Sequence, residues 1–131
     1  RALAKEAGGL ERLAVENLVE YPPTHLAPLL ERLQVSFCFD LGHCLRQGSD
    51  PLPVLQEHIA YTRAIHLHGL AEGKDHRDLA TVDQGLLLAL LRLLRRKHYA
   101  GVVTIECFGE RPFFDSWDLV EALWRRAQEN D

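Results

Sequence analysis

The sequence predicts an α/β fold built on a parallel sheet, and three observations predict it. Four short apolar segments end at turn residues, as parallel strands covered on both sides do. Helical patterns separate these segments, and several start at an aspartate that is suited to cap a helix. Strand and helix alternate four times, an order that favours right-handed crossovers within one parallel sheet.

Each predicted element has a recognisable start or end. Asp50 precedes a proline, Asp83 precedes a long leucine-rich pattern with a cationic end, and Asp115 precedes the last helical pattern. The weakest helix contains Pro28, which must either lie in its first turn or kink it. The predicted strands are 13–18, 35–42, 63–70 and 101–109, and the predicted helices are 24–33, 51–62, 84–98 and 116–129.

Composition limits the classes of function. The chain of 131 residues is 47% hydrophobic and 26% charged, which is typical of one globular domain. A net charge of −4 gives no reason to expect nucleic acid as a partner, and no apolar run is long enough to span a membrane. Three cysteines are too few for a disulfide framework, so we expect a reducing compartment, the cytoplasm. Because the chain has no methionine, we also expect it to be a piece of a longer protein.

Ionisable residues end all four predicted strands, on the face opposite the bulky apolar side chains. They are Glu16, Asp40, His66 and Glu106, with His68 one step beyond His66. Each of them alone is more often a solvated or hydrogen-bonded residue than a ligand. Parallel strands, however, bring their C-terminal ends to one rim, where carboxylates and imidazoles would be costly to gather without a cation. The pattern therefore predicts a divalent transition metal, Zn²⁺, Mn²⁺, Fe²⁺ or Co²⁺, held without sulfur ligands.

The cysteines and two further histidines are predicted to be mainly structural. Cys38 lies early in its strand and should pack, Cys107 should face a helix, and His25 and His58 should be surface or helix residues. Cys44 follows the motif Asp-x-x-His and is therefore a minor candidate for approaching a metal. The basic residues 92–98 end a helix, so they are interpreted as helix capping and not as a nucleic-acid patch.

The four strand ends resemble a known family. The segments VEN, FDLGH, IHLHG and IEC are similar to the last four strands of the xylose-isomerase-like barrel superfamily, which contains sugar epimerases, sugar isomerases and endonuclease IV-like phosphodiesterases. The resemblance implies one domain over residues 1–131, whose parallel β/α units correspond to strands five to eight of a TIM barrel, a half-barrel. It also implies a metal site made by Glu16, Asp40, His66 and Glu106.

The resemblance adds residues whose roles differ between branches of the superfamily. The histidine that matches His43 binds metal in endonuclease-like members and lies closer to the substrate in epimerases. Nuclease-like members carry Asp-x-His after the seventh strand, which makes Asp75 a further metal candidate, although Asp75-His76-Arg77 departs from that order. His68 is a second departure, since Asn or Asp is common there. The combination of HLHG and GKDH is most similar to the cobamide-remodelling phosphodiesterases.

Two reactions and one non-catalytic role remain open. In phosphodiester hydrolysis, the cationic side chains after the third predicted strand would neutralise charge or protonate the leaving group. In sugar isomerisation or epimerisation, the two glutamates would exchange a proton on carbon. The number of histidines near the predicted site favours hydrolysis and more than one metal ion. The third alternative is a fragment that binds metal without catalysing a reaction. The catalytic candidates are His68, His76, Glu16 and Glu106, and the candidates for substrate binding are Lys74, Arg77 and His43.

A half-barrel would leave two sheet edges and its inner face exposed, which predicts a homodimer that covers them. The helix around residues 86–94 is apolar on nearly all sides, so it is a second candidate interface. The alternative is that it packs beneath the terminal helix with Trp117 or Trp124. The expected substrate is a small molecule, phosphorylated or sugar-like.

Overall fold

The computed structural model describes residues 2–129. They form six helices and six strands, with three short 3₁₀ turns at Leu10–Arg12, Pro23–His25 and Leu79–Thr81. The helices are α1 Ala2–Ala7, α2 Ala27–Leu33, α3 Leu41–Gln47, α4 Pro51–His58, α5 Gln84–Arg96 and α6 Glu110–Gln128. The strands are β1 Ala14–Glu16, β2 Ser36–Asp40, β3 Thr62–Leu67, β4 Gly69–Ala71, β5 Lys74–Arg77 and β6 Val102–Ile105.

Four strands form one open, fully parallel sheet in the order β1-β2-β3-β6. This arrangement confirms the predicted α/β class and the sequence of parallel β/α units. The register pairs Asp40 with His66 and His66 with Thr104, so the C-terminal ends of the central strands lie at the same level. The sheet does not close into a barrel within residues 2–129.

The core lies between the sheet and the helices on one of its faces. Phe37, Phe39 and Ile65 are at most 1% exposed, as the alternation of side chains predicts for the bulky face. Helix α5 lies against this face and against α4 and α6, with its buried leucines directed into the core. The leucine-rich helix therefore packs within the domain, which was one of its two predicted alternatives. Its buried members are Leu87, Leu90, Leu91, Leu93 and Leu94.

Two predicted helix caps form as expected. The Asp50 carboxylate accepts from the Leu52 N–H at 3.1 Å, and the Asp83 carboxylate accepts from the Leu86 N–H at 2.8 Å. Pro28 lies in the first turn of α2, where it has no backbone bond to lose.

The prediction for the last helix was wrong at its start. Helix α6 begins at Glu110, six residues before the predicted start, and Asp115 lies within it as a partner of Arg111 at 3.6 Å. Pro112 occupies the first turn, where a missing N–H costs nothing, so it does not stop the helix.

Two further elements were not predicted. The predicted strand 35–42 ends at Asp40, which instead caps the short helix α3. The predicted strand 63–70 ends at Leu67, and the chain then forms the antiparallel hairpin β4–β5. Its turn holds Glu72 and Gly73, both with positive φ (53° and 72°), as a two-residue hairpin of type I′ requires.

Both edge strands of the main sheet, β1 and β6, have no outer neighbour within residues 2–129. Beside β6, the exposed apolar side chains of Val103, Trp117 and Trp124 line a groove between the strand edge and α6. Within the same residues, no helix combines the length and the apolarity needed to cross a bilayer.

Candidate metal centre

The four strand-end residues converge around one ring nitrogen. His66 Nδ1 lies 3.3 Å from Glu106 Oε1, 3.7 Å from Asp40 Oδ2 and 3.8 Å from Glu16 Oε2. Each of these residues lies in a different strand or directly after one. The parallel register of the strands brings them together, although Glu16 and Glu106 are 90 residues apart in the sequence. The structure thus brings together the four strand-end residues predicted as ligands, at the C-terminal rim of the sheet.

Local backbone structure explains this convergence. Glu16 is the last residue of β1 and pairs with Cys38, while Asp40 is the last residue of β2 and pairs with His66. Glu106 lies directly after β6, and its N–H donates to the Leu67 carbonyl at 3.0 Å, which continues the pairing one step past the strand. Side chains on one face of neighbouring strands therefore point to the same place.

The carboxylates of Glu16, Asp40 and Glu106 all lie within 4 Å of one ring nitrogen. Burial raises the pKa of Glu16, and the nearby negative charge of Asp40 raises it further, because like charges disfavour ionisation. His66 Nδ1 is buried and makes no hydrogen bond with any described residue. A buried ring nitrogen without a partner, facing three carboxylates, fits a bound divalent cation, which would accept the nitrogen lone pair and neutralise the carboxylates.

The Asp40 carboxylate is held by two neighbours, His68 and the backbone of His43. It is fully buried, and His68 Nε2 lies 3.0 Å from its Oδ1 and 3.1 Å from its Oδ2. Its Oδ1 also accepts from the His43 N–H at 2.7 Å. Burial alone would raise the pKa of Asp40, but the hydrogen bonds from His68 and from the His43 backbone outweigh it and lower the pKa below the usual aspartate value.

Asn17 is a structural residue of the site that sequence reasoning missed. Its side chain accepts from the Asp40 N–H at 2.7 Å and donates to the Asp40 carbonyl at 3.0 Å. These two bonds join the end of β1 to the end of β2, so they set the separation of Glu16 and Asp40. In the sequence, the signal for this role is a polar residue directly after the strand-ending Glu16. The structure shows that this residue is only 1% exposed.

His43 lies on the first turn of α3 and faces the same rim. Its Nδ1 is 3.1 Å from Glu16 Oε1 and 3.0 Å from the Asn17 carbonyl oxygen. Ligand atoms of Asp40, His43 and His68 lie within 4.8 Å of one another, close enough to hold one ion. His43 is thus near the centre in a position compatible with either predicted role, metal ligand or substrate contact.

Three aromatic rings stack beside the centre. The rings of His68 and His76 are 4.3 Å apart and nearly parallel, and Phe108 stacks on the other face of His76 at 4.7 Å. The His76 N–H donates to His68 Nδ1 at 2.9 Å, so both ring nitrogens of the fully buried His68 are used within the protein. His76 Nε2 lies 3.7 Å from Glu106 Oε2. The acid–base role predicted for His68 stays a prediction, while His76 is the more accessible ring.

The hairpin presents the other predicted residues. Asp75 Oδ2 pairs with Arg46 Nη1 at 2.6 Å, and Asp75 belongs to none of the metal-compatible groups of described residues. Desolvation would raise the pKa of Asp75, but the interactions with His76 and Arg46 together outweigh it and hold the pKa low, at about 2. Lys74 and Arg77 are exposed on β5. Arg46, at the end of α3, was not singled out from the sequence.

Comparison with known families adds the observation that decides the classification. Residues 2–129 match the xylose isomerase-like TIM barrel. The chain belongs to the xylose isomerase-like TIM-barrel family. A search among curated proteins finds no match. Family membership confirms the superfamily that the strand-end motifs resemble, and the open four-stranded sheet is part of that family's barrel.

The three cysteines of this family member have different surroundings. Cys38 was expected only to pack, but its Sγ lies 3.4 Å from His66 Nε2. Cys44 is fully buried, accepts from the Asn17 amide at 3.5 Å and lies outside the metal-compatible groups of described residues. Burial raises the pKa of both thiols to about 12. Cys107 faces Ser116 of α6 at 3.4 Å, as predicted.

The three remaining histidines, His25, His58 and His98, belong to none of the metal-compatible groups of described residues. His25 is exposed, as predicted. His58 is the last residue of helix α4, in agreement with its prediction as a surface or helix residue; it is 3% exposed and packs on the Phe37 ring at 5.2 Å.

Proposed function

We propose that Glu16, Asp40, His66 and Glu106 hold a divalent transition metal ion, Zn²⁺, Mn²⁺, Fe²⁺ or Co²⁺, and that the site hydrolyses a phosphodiester. The observation that carries this proposal is the unpartnered Nδ1 of His66 among three carboxylates. When bound, such an ion polarises a phosphoryl oxygen and lowers the pKa of a bound water. His43, beside Glu16, is a further ligand in this proposal, and Asp75 becomes one only where it leaves Arg46.

The protein's own residues supply the other parts of the reaction. Lys74 and Arg77 project from the hairpin beside the rim and would bind the anionic phosphate oxygens of a small substrate. His76 stands at the edge of the centre, with its Nδ1 3.2 Å from Asp75 Oδ1 and its Nε2 3.7 Å from Glu106 Oε2, and it would donate the proton to the leaving oxygen. His68 would keep Asp40 ionised and oriented. This array of cationic groups favours an anionic substrate over a neutral sugar.

A narrower substrate class and two alternatives follow from the same site. The succession of HLHG and GKDH supports a cobamide phosphodiester as the substrate. The position of Glu16 and Glu106 on either side of His66 supports sugar isomerisation or epimerisation, in which these two groups exchange a proton on carbon. The second alternative is a domain that binds metal without turnover.

The metal content of the purified protein tests the proposal. We expect about one or more transition-metal ions per chain from elemental analysis, lost in His66→Ala, because that variant removes the only ring facing all three carboxylates. His25→Ala, an exposed histidine outside the metal-compatible groups of described residues, is the matched control and should keep the metal. A metal-free wild type, even after reloading with each of the four ions, would refute the metal centre.

The metal-loaded protein then separates the reactions. Hydrolysis of bis(p-nitrophenyl) phosphate by wild type and not by His66→Ala would support the phosphodiesterase. Interconversion of ketose and aldose without phosphodiester hydrolysis would support the isomerase instead. If the protein is fully loaded with metal and catalyses neither reaction, the remaining alternative is a domain that binds metal without turnover.

We also propose that two copies associate through their free sheet edges. If β6 of one copy lies along β1 of the other, parallel pairing continues, and two such junctions close an eight-stranded sheet. The exposed Val103, Trp117 and Trp124 would then be covered. We expect light scattering to give twice the chain mass, and Val103→Arg to give the mass of one chain. Leu29→Arg, on an exposed face of α2, is the control and should leave the mass at two chains.

A further inference from the structure

Cys38 is the feature of the site that the proposed chemistry leaves unused. It lies in the middle of β2, is 5% exposed and sits beneath the carboxylates, with its Sγ 3.4 Å from His66 Nε2. Because β2 and β3 are neighbours, and Asp40 pairs with His66, the residue two positions before Asp40 lies diagonally under the imidazole on the same face.

The two ring nitrogens of His66 therefore face different chemistry. Nδ1 faces Glu16, Asp40 and Glu106, whereas the hydrogen-bond contact of Nε2 among residues 2–129 is with the sulfur of Cys38. An imidazole that binds a cation through Nδ1 carries its proton on Nε2, and that proton needs an acceptor if the ring is to keep its orientation. Histidine ligands usually donate this proton to a carboxylate, a carbonyl or water. In this chain the sulfur occupies that position.

We propose that Cys38 is the positioning residue of His66: its sulfur accepts the Nε2–H and holds Nδ1 toward the three carboxylates. This inference rests on the proposed metal centre. The sulfur is a weak acceptor, but at 3.4 Å it excludes water from Nε2 and prevents the ring from flipping. The competing role is direct ligation by the sulfur, because Glu16, Cys38 and His66 form one of the metal-compatible groups of described residues; the spectrum of the Co²⁺-loaded protein distinguishes the two roles.

Zinc affinity of two Cys38 variants tests the proposal. Cys38→Ala removes the acceptor, and we expect it to bind Zn²⁺ about 10–100-fold more weakly, as loss of an outer partner of a ligand does. Cys38→Ser keeps an acceptor of similar size, so its affinity should stay within about 3-fold of wild type. Cys107→Ala, a thiol next to α6, is the matched control and should not change the affinity. Equal affinities of all variants, or an equal loss in Cys38→Ser and Cys38→Ala, would overturn the proposal.

Two spectroscopic measurements distinguish the possible causes of failure. A strong near-ultraviolet thiolate-to-metal band in Co²⁺-loaded wild type, lost in Cys38→Ser, would show that Cys38 is itself a ligand and would overturn the positioning role. The ¹⁵N-histidine NMR spectrum of the metal-free protein needs no metal centre. The His66 Nε2–H should exchange slowly with water in wild type and in Cys38→Ser, and rapidly in Cys38→Ala. Slow exchange of the His66 Nε2–H in all three proteins would refute the Cys38 contact. If exchange is slow in wild type and in Cys38→Ser, rapid in Cys38→Ala, and the protein binds no Zn²⁺, only the metal centre is refuted.

Discussion

Gly42→Ala is expected to damage both the fold and the metal centre. A Cβ on Gly42 would lie 1.9 Å from Cε1 and 2.1 Å from Nδ1 of His68, far inside van der Waals contact. His68 has no room to retreat, because it stacks on His76 and bonds to Asp40. We expect the free energy of unfolding to fall by about 3 kcal/mol, from overpacking and the lost hydrogen bond. Urea denaturation and Zn²⁺ titration measure the two effects.

The control for this prediction is a double-mutant cycle. His68→Ala removes the ring that the new methyl group would strike, so adding Gly42→Ala to it should cost less than about 1 kcal/mol. A cost that is equal in both backgrounds would show that the clash is not with His68.

Asp40→Ala is expected to have the second largest effect. It removes the cap of α3, worth about 1 kcal/mol, and leaves His68 Nε2 buried without a partner, worth about 1–3 kcal/mol. We expect a loss of about 3 kcal/mol in unfolding free energy, measured in urea, together with loss of metal binding. Because the folded state lowers the pKa of Asp40, its stabilisation is present at neutral pH and is lost as the pH falls below the ordinary aspartate value through the lower folded pKa.

Asp40→Asn separates the two functions of this residue. The amide oxygen can still accept the His43 N–H, so α3 should keep its cap while the charge is lost. We expect stability closer to wild type than in Asp40→Ala, with metal binding lost. Unchanged metal affinity in Asp40→Asn would contradict the assignment of Asp40 as a charged ligand.

The parts of the fold that the sequence predicts are those fixed by local patterns. Alternation along short apolar runs located the four main strands and placed Asp40 and His66 on one face, because side-chain direction has period two. The Asp50 and Asp83 caps were recognisable because their acceptor and donor lie two or three residues apart. Convergence of the strand ends then followed from parallel order alone.

The parts that sequence reasoning missed depend on contacts between distant residues or on very short elements. Helix α3 has only seven residues and includes Gly42, so no helical period is visible in it. Asn17 contacts Asp40, which is 23 residues away in the sequence, and Cys38 contacts His66, which is 28 residues away. The roles of Asn17 and Cys38 depend on these long-range contacts, which no local pattern reveals. The start of α6 was placed six residues late because Asp115 is a residue type that caps helices, whereas it lies inside this helix.

The hairpin β4–β5 has a consequence for how this site can change during evolution. The hairpin meets the buried part of the centre through a backbone donor, the His76 N–H, and that bond survives a change of side chain at residue 76. The hairpin is also held by the Phe108 N–H, which donates to the His76 carbonyl at 3.3 Å, and by the partly exposed pair of Arg46 and Asp75, which contributes little to stability. We expect substitutions at the exposed Lys74 and Arg77 to leave the strand-end residues in place, so that the recognition of a substrate and the binding of an ion can evolve separately.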